Sequence, residues 1–158
     1  MALQENVDFV FIPVADNVSE KVCLVGTKKY VYVVPDQKTV NESSLKEFVT
    51  NAFAGVDKVE SFNFGDYTPR EVIAGLLADQ ETTLESLDEF FKNFKEKWDA
   101  VMRIEIASLK NFKVVSNIFG GAISVRYEGK KLFSPIVTRI AGKTERRGVK
   151  AFYEGITK

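Results

Sequence analysis

The sequence lacks histidine altogether and contains only one cysteine among its 158 residues. Without histidine, the chain has no Ser-His or Cys-His nucleophile pair and no imidazole ligand for a metal ion. A metal site would depend on carboxylates alone, which favour Mg²⁺ or Ca²⁺. Because the sequence also has no specific catalytic or cofactor-binding motif, we predict a protein that is not an enzyme, with no cofactor and no catalytic or metal-binding residues.

The single cysteine, Cys23, lies between Val22 and Leu24 in an apolar run that is typical of a strand. It has no partner for a disulfide within the chain, and its position predicts a buried packing thiol. A reducing, cytoplasmic location is therefore expected.

No apolar run approaches the roughly 18 residues that span a bilayer. The first residues also lack the basic and apolar segments of a signal peptide.

The remaining composition is typical of one globular domain, or of one domain that carries an insertion. Hydrophobic residues make up 45% of the chain and charged residues 28%, which predicts a charged surface around a conventional core. Thirteen phenylalanines supply much of that core, because each ring buries a large apolar area.

The charges balance over the whole chain but are segregated along it. Residues 1–100 hold 10 Lys/Arg and 18 Asp/Glu, a net charge of −8, whereas residues 101–158 hold 12 Lys/Arg and 4 Asp/Glu, a net charge of +8. Such asymmetry indicates either two parts that attract each other within the fold or a surface that meets an anionic partner. Since the two charges cancel, we favour the internal explanation.

Three strands are predicted near the beginning of the chain, at residues 8–14, 21–26 and 30–34. Each is rich in β-branched or aromatic residues and is bounded by polar or turn-forming residues. Pro13 predicts that the first strand runs along a sheet edge or ends there, because proline cannot donate to a β-ladder.

The middle of the chain changes to helical periodicity. Ser44 and Glu47 resemble a capping box at the start of a helix that extends to about Phe53. A second helix is predicted to begin at residues 68–69, where proline takes the first helical position. Its expected buried stripe is Val72, Ile73, Leu76 and Leu77.

The longest predicted helix begins at Thr82, which forms a second capping box with Glu85. Its expected core face is Leu84, Leu87, Phe90, Phe91, Phe94 and Trp98. Acidic residues crowd its first turns: Glu81, Glu85, Asp88 and Glu89. The simpler explanation is that the helix dipole favours acids there, and the alternative is a carboxylate metal site.

After about residue 100, apolar and polar residues alternate again with a period of two, which is typical of strands. Strands are predicted at residues 103–106, 113–119, 122–128 and 132–140, and paired glycines at 120–121 supply the positive φ angles of a tight hairpin. An amphipathic helix then closes the chain. Its apolar face is Val149, Phe152, Tyr153 and Ile156.

This succession of elements resembles the pleckstrin-homology (PH) superfold in its bacterial and GRAM-like forms. The resemblance is carried by VCLVGTKKYVYVV at residues 22–34 and by residues 104–153, which include FKVVSNIFGGAISVRYEGKKLFSPI and the closing VKAFYEGI. Together these stretches cover about two fifths of the chain. Members of the family have seven antiparallel strands in two near-orthogonal sheets, and a C-terminal helix plugs one open end.

The resemblance implies an α+β fold: an antiparallel PH-like barrel or two-sheet domain of about seven strands, with a C-terminal helix. Residues 1–40 and 101–158 would form this domain. Residues 41–100 would form a helical insertion after the third strand, which is not the usual plan of the family. Phe152 is the expected plug of the open end, since burial of a Phe side chain contributes about 1.5–3 kcal/mol.

Two basic motifs are candidate anion sites. Residues 142–144 (GKT) resemble the end of a phosphate-binding P-loop, but the motif needs a glycine where this chain has Val137, so nucleotide binding is not expected. A second possible anion-binding cluster lies near the terminal helix: Lys143, Arg146, Arg147 and Lys150. It is either a solvated charged face, which is the simpler explanation, or a surface for an anionic membrane or a nucleic acid.

The lipid site of PH-like domains does not map onto this sequence. In lipid-binding members, basic residues near the loop between the first two strands hold the head group. Here that loop, at residues 15–20, is acidic.

We therefore expect a non-enzymatic interaction module that binds another protein through a sheet edge or through the helical insertion. Two alternatives stay open at this point. One is a peripheral binder of anionic lipid or nucleic acid that uses the basic C-terminal third, and the other is a small structural subunit of a viral or bacterial assembly. The sequence does not determine whether the chain forms a homo-oligomer.

Overall fold

The structure, a computed structural model, describes residues 3–17, 20–35, 69–97, 101–109, 111–116, 123–128, 136–140 and 143–156. Within these ranges the chain forms seven strands and three α-helices. The predicted α+β class and the antiparallel sheet are confirmed. The predicted helix at residues 44–53 and Trp98 lie outside the described residues, and the division of the chain into a sheet domain and an insertion stays a prediction.

All seven strands belong to one antiparallel sheet. They are β1 (Val10–Asn17), β2 (Glu20–Gly26), β3 (Tyr30–Pro35), β4 (Met102–Glu105), β5 (Asn111–Ser116), β6 (Ile123–Glu128) and β7 (Ile136–Ile140). Their order across the sheet is β4-β3-β2-β1-β7-β6-β5, so β1 is central and β4 and β5 are the end strands. Among the described residues no pairing joins β4 to β5, and the sheet is open.

The helices are α1 (Pro69–Ala78), α2 (Leu84–Lys97) and α3 (Lys143–Phe152), and a 3₁₀ turn at Ile106–Ser108 links β4 to β5. The buried stripe predicted for α1 is confirmed, since all four of its apolar residues are buried. No helix within the described ranges combines the length and the apolar character that are needed to cross a bilayer.

Both faces of the β2–β3 hairpin are covered. Residues that alternate along the strands pack on opposite sides, because successive side chains of a strand point to opposite faces. On one side, the cluster with α1 and α2 includes Cys23, Val25, Tyr32 and Val34. On the other side, the cluster with α3 includes Val22, Leu24, Val31 and Val33. Cys23 is therefore a fully buried thiol, as predicted.

The expectation for Pro13 is wrong, because β1 lies in the interior of the sheet. The register between β1 and β2 shifts between Ile12 and Ala15, and the pairing with β7 begins only at Ala15. Proline thus occupies an irregularity of the strand, where no ladder hydrogen bond is required of it.

The start of α2 is displaced by one residue from its predicted cap. Thr83, not Thr82, caps the helix: its Oγ1 accepts from Ser86 N at 3.0 Å, while Ser86 Oγ accepts from Thr83 N at 2.8 Å. The hydroxyl of Thr82 instead donates to Leu76 O at 2.7 Å, at the end of α1. Leu84 is consequently 40% exposed and does not belong to the core face predicted for this helix.

The terminal helix brings two aromatic side chains to the sheet. Phe152 and Tyr153 are both buried, and their rings contact each other edge to face with centroids 4.9 Å apart. The Tyr153 hydroxyl donates to Thr27 O at 3.1 Å. Gly26 leaves the space for this ring, since a Cβ atom there would collide with Tyr153. The apolar face predicted for the helix is therefore confirmed, with Val149 also buried and Ile156 partly buried.

Candidate functional site

The strand β4 forms one edge of the sheet and pairs, within the described residues, only with β3. The N–H of Ile106 donates to Lys29 O at 2.9 Å, which makes these two residues a hydrogen-bonded pair. Hydrogen-bonded and non-hydrogen-bonded pairs alternate along an antiparallel ladder. Ile104 is therefore bonded to β3, whereas the backbone N–H and C=O groups of Arg103 and Glu105 point outward from the sheet.

Side chains occupy part of this outward row. Lys95 Nζ donates to Val101 O at 3.0 Å, and Ser108 Oγ donates to Glu105 O at 2.7 Å. Within the described ranges, the outward N–H and C=O of Arg103 and the N–H of Glu105 have no partner. The edge thus presents two backbone donors, the N–H groups of Arg103 and Glu105, and one acceptor, the carbonyl of Arg103. They lie between two carbonyls that already accept from side chains.

A depression of about 260 Å³ follows the same edge. Its lining residues are Lys95, Met102, Arg103, Ile104, Glu105, Ser108 and Leu109. Met102 and Ile104 are partly buried against the cluster on the α3 side, whereas Arg103 and Glu105 lie on the opposite face because strand side chains alternate. The edge is therefore apolar on one face and charged on the other.

Arg103 is held in place by Asp88 of α2. Its Nε donates to Oδ1 and its Nη2 donates to Oδ2, both at 2.8 Å, which is the bidentate geometry of a strong ion pair. The Tyr32 hydroxyl donates to the same Oδ1 at 2.6 Å. One carboxylate therefore joins α2 to both β3 and β4.

The electrostatics of this cluster keep it charged and fixed. Hydrogen bonds from Arg103 and then from Tyr32 hold the pKa of Asp88 below its ordinary value, against the opposing effect of burial. The hydrogen bond to Asp88 raises the pKa of Arg103, and burial raises the pKa of Tyr32. None of the three groups changes protonation near neutral pH, so the cluster positions Arg103 and does not transfer protons.

An aromatic stack continues from Arg103 into the core. The guanidinium carbon lies 4.4 Å from the centroid of the Tyr30 ring, a cation–π geometry. Tyr30 stacks on Tyr32 with centroids 5.9 Å apart, and Tyr32 stacks on Phe91 of α2 at 4.2 Å. The edge strand β4 is therefore connected through this stack to the packed core beneath α2.

The four acids predicted around the start of α2 do not act together. Asp88 is engaged by Arg103 and Tyr32, whereas Glu81, Glu85 and Glu89 are exposed. In the part of the chain that the structure describes, no group of three or more cysteine and acidic residues is placed to hold a metal ion.

The predicted anion-binding cluster is described only in part. Arg147 and Lys150 are exposed on α3 and line a depression of about 330 Å³, together with Tyr153 and Glu154. The carboxylate of Glu154 reduces the positive charge there. Lys143 belongs to the same helix, as does Arg146, but their side chains lie outside the described residues.

Sequence analysis did not single out Arg103, Lys95 or Tyr32. The ion pair joins residues 15 positions apart in different elements, and the tyrosine bond joins residues 56 positions apart. Helical or strand periodicity carries no signal for such contacts.

Comparison with known proteins gave no relative: no family model matches the chain, and searches of curated proteins and of solved structures found no match.

Proposed function

We propose that the chain is a non-enzymatic interaction module that binds another polypeptide strand at the outer edge of β4. The observation that carries this proposal is the outward backbone of Arg103 and Glu105, which is fixed by the Ile106–Lys29 hydrogen bond. An extended segment that adds to a sheet edge gains its affinity from such main-chain groups and its specificity from adjacent pockets. The depression beside Met102 and Ile104 supplies an adjacent pocket.

The helix α2, which lies between β3 and β4 in the chain, also contributes to this edge. Lys95 of α2 donates to Val101 O at one end of the edge, and Asp88 of α2 holds the Arg103 side chain in place. We propose further that the fold is PH-like and that residues 41–100 are an insertion. The strand order, with β1 between β2 and β7, and the terminal helix against the sheet support this assignment. A cytoplasmic location is part of the same proposal, and the use of the one cysteine, Cys23, as a buried packing residue supports it.

A proline at position 105 tests the use of the edge. Glu105 has φ −81°, close to the proline value of about −65°, and its N–H points away from β3. Glu105→Pro therefore removes an outward donor and leaves the ladder between β3 and β4 intact. Glu105→Ala is the matched control, because it removes the same side chain but keeps the N–H.

The readout is binding of peptides selected from a displayed random library against the wild-type chain. We expect the selected peptides to bind wild type and Glu105→Ala with similar affinity and to lose binding to Glu105→Pro. Equal circular dichroism spectra and thermal midpoints would show that all three proteins are folded. Peptides that bind Glu105→Pro as well as wild type would contradict the proposal.

A second candidate function is the binding of an anionic lipid surface or a nucleic acid by α3. The exposure of Arg147 and Lys150 beside one depression favours it. It predicts binding to anionic vesicles or to nucleic acid that weakens with salt and with the combined changes Arg146→Glu and Arg147→Glu. An affinity that changes neither with salt nor with these two substitutions would argue against it.

A further inference from the structure

We infer that the strand that occupies the β4 edge is the β4 strand of a second copy of the chain, paired antiparallel about a two-fold axis at Arg103. This inference rests on the proposed use of the edge and adds the identity of the partner.

The outward backbone groups are complementary to themselves. With the axis at Arg103, the N–H of each Arg103 donates to the carbonyl of the other Arg103, so both unpartnered groups are satisfied at once. The next hydrogen-bonded pair places Glu105 opposite Val101 of the second copy. The N–H of Glu105 then reaches the Val101 carbonyl, whose second lone pair is available beside its bond to Lys95.

The side chains on the α2 face are complementary in charge. Lys95 Nζ lies 3.0 Å from Val101 O, so the carboxylate of Glu105 from the second copy arrives beside this ammonium. Symmetry makes two such ion pairs in the dimer. The two Arg103 side chains also face each other, but each guanidinium is already neutralised by the bidentate bond to its own Asp88.

The opposite face supplies an apolar contact. In the same register, Met102 of one copy lies opposite Ile104 of the other, and both side chains are only partly buried within one chain. Cross-strand pairs of this kind stabilise a sheet. The short edge is thus matched by a partner strand of the same length and sequence.

The first test is the mass of the protein in solution, measured by sedimentation velocity over a micromolar to millimolar concentration range. Wild type is expected to form a dimer as the concentration rises, and Glu105→Pro is expected to stay monomeric. Glu105→Lys places two like-charged pairs in the interface and is expected to weaken the dimer by about tenfold or more. A wild-type chain that is monomeric throughout would overturn the inference.

A charge exchange tests the two-fold register. Lys95→Glu alone and Glu105→Lys alone each create like-charged pairs in their own dimers, so both are expected to dimerise about tenfold more weakly than wild type or worse. In an equimolar mixture, a dimer with one copy of each variant restores both ion pairs, and dimerisation is expected to return to about the wild-type strength. A mixture that dimerises no better than either variant alone, while wild type dimerises, would contradict this register.

Failure of this inference is distinguishable from failure of the proposed function. A monomeric wild type whose selected peptides still depend on the N–H of residue 105 would show that the edge accepts a strand from another protein. Peptides indifferent to Glu105→Pro, together with a dimer that forms equally well in that variant, would show that neither the proposal nor the inference is correct.

Discussion

Asp88 accepts hydrogen bonds from Arg103 and Tyr32, side chains that come from neighbouring strands, and it thereby attaches α2 to the sheet. About a quarter of each side chain in the ion pair is exposed, 25% for Arg103 and 24% for Asp88, so solvent screens the pair only in part. Because of the bidentate geometry and the hydrogen bond from Tyr32, we expect this carboxylate to stabilise the fold more than an exposed ion pair does.

Replacement of Asp88 with Asn should lower the free energy of unfolding at pH 7 by about 1.5–3 kcal/mol, the range for hydrogen bonds to charged groups. The pKa of Asp88 is lowered in the folded state, so its stabilisation is present above the ordinary value of about 3.9. That stabilisation is lost as the pH falls through the lowered folded pKa. The difference between wild type and Asp88→Asn should therefore shrink at low pH.

Urea denaturation at pH 7 and at about pH 3 measures both effects. Glu89→Gln is the matched control, because Glu89 lies one residue further along α2 and is exposed. A difference between wild type and Asp88→Asn that stays constant over this pH range would mean that the ionised carboxylate does not stabilise the fold.

At the scale of whole elements, α3 is an amphipathic helix that closes one face of the sheet. Its buried residues are Val149 and Phe152, followed directly by Tyr153, and its exposed side carries Arg147 and Lys150. The Lys28 ammonium lies 3.8 Å from the centroid of the Phe152 ring and donates to the Phe152 carbonyl. The end of α3 is thus bound to the β2–β3 turn as well as to the core.

Phe152→Ala should cost about 3–5 kcal/mol of stability, because it removes a buried ring and leaves a cavity beneath the helix. Chemical denaturation of wild type and variant measures this loss. Lys150→Ala provides the comparison on the exposed side of the same helix and should change the midpoint little. A midpoint for Phe152→Ala close to that of wild type would refute the packing of α3 described above.

The elements differ in how far their sequences predict them. Proline at the start of α1 and the stripes of α1 and α3 are local signals, and the structure confirms them. The predicted cap of α2 is wrong by one residue because Thr82 and Thr83 are adjacent and both have hydroxyls that suit a cap. The structure separates their roles, since the Thr82 hydroxyl donates to Leu76 O and the Thr83 hydroxyl accepts from Ser86 N. The edge at β4 depends on strand order, which periodicity along one strand does not encode.

At the scale of the whole molecule, β2 and β3 form the middle layer between α1–α2 and α3. Their consecutive apolar residues, including Val22, Cys23 and Leu24, are the pattern of strands that are buried on both faces. The sequence therefore contained a signal that something covers the second face. The pattern of a strand does not identify the element that packs on it: the family resemblance implied the terminal helix on one face, but nothing in the sequence placed α1 and α2 on the other.

Cys23 reports on the attachment of the α1–α2 layer, because it is fully buried in the cluster beneath these helices. A thiol reagent should label native protein far more slowly than unfolded protein, since labelling requires this layer to open. Phe91→Ala removes a ring that stacks on Tyr32 and should accelerate labelling. Equal labelling rates for native and denatured wild type would show that the layer does not protect the thiol.

The central position of β1 has a consequence for biosynthesis. β1 pairs with β2, its immediate successor, but also with β7, near the other end of the chain. As the polypeptide emerges from the ribosome, β1 to β4 can associate first with α1 and α2, while the side of β1 that pairs with β7 has no neighbour. The nascent chain therefore carries an incomplete sheet until residues 136–140 arrive, and that late, long-range closure is the step we expect to limit the rate of folding.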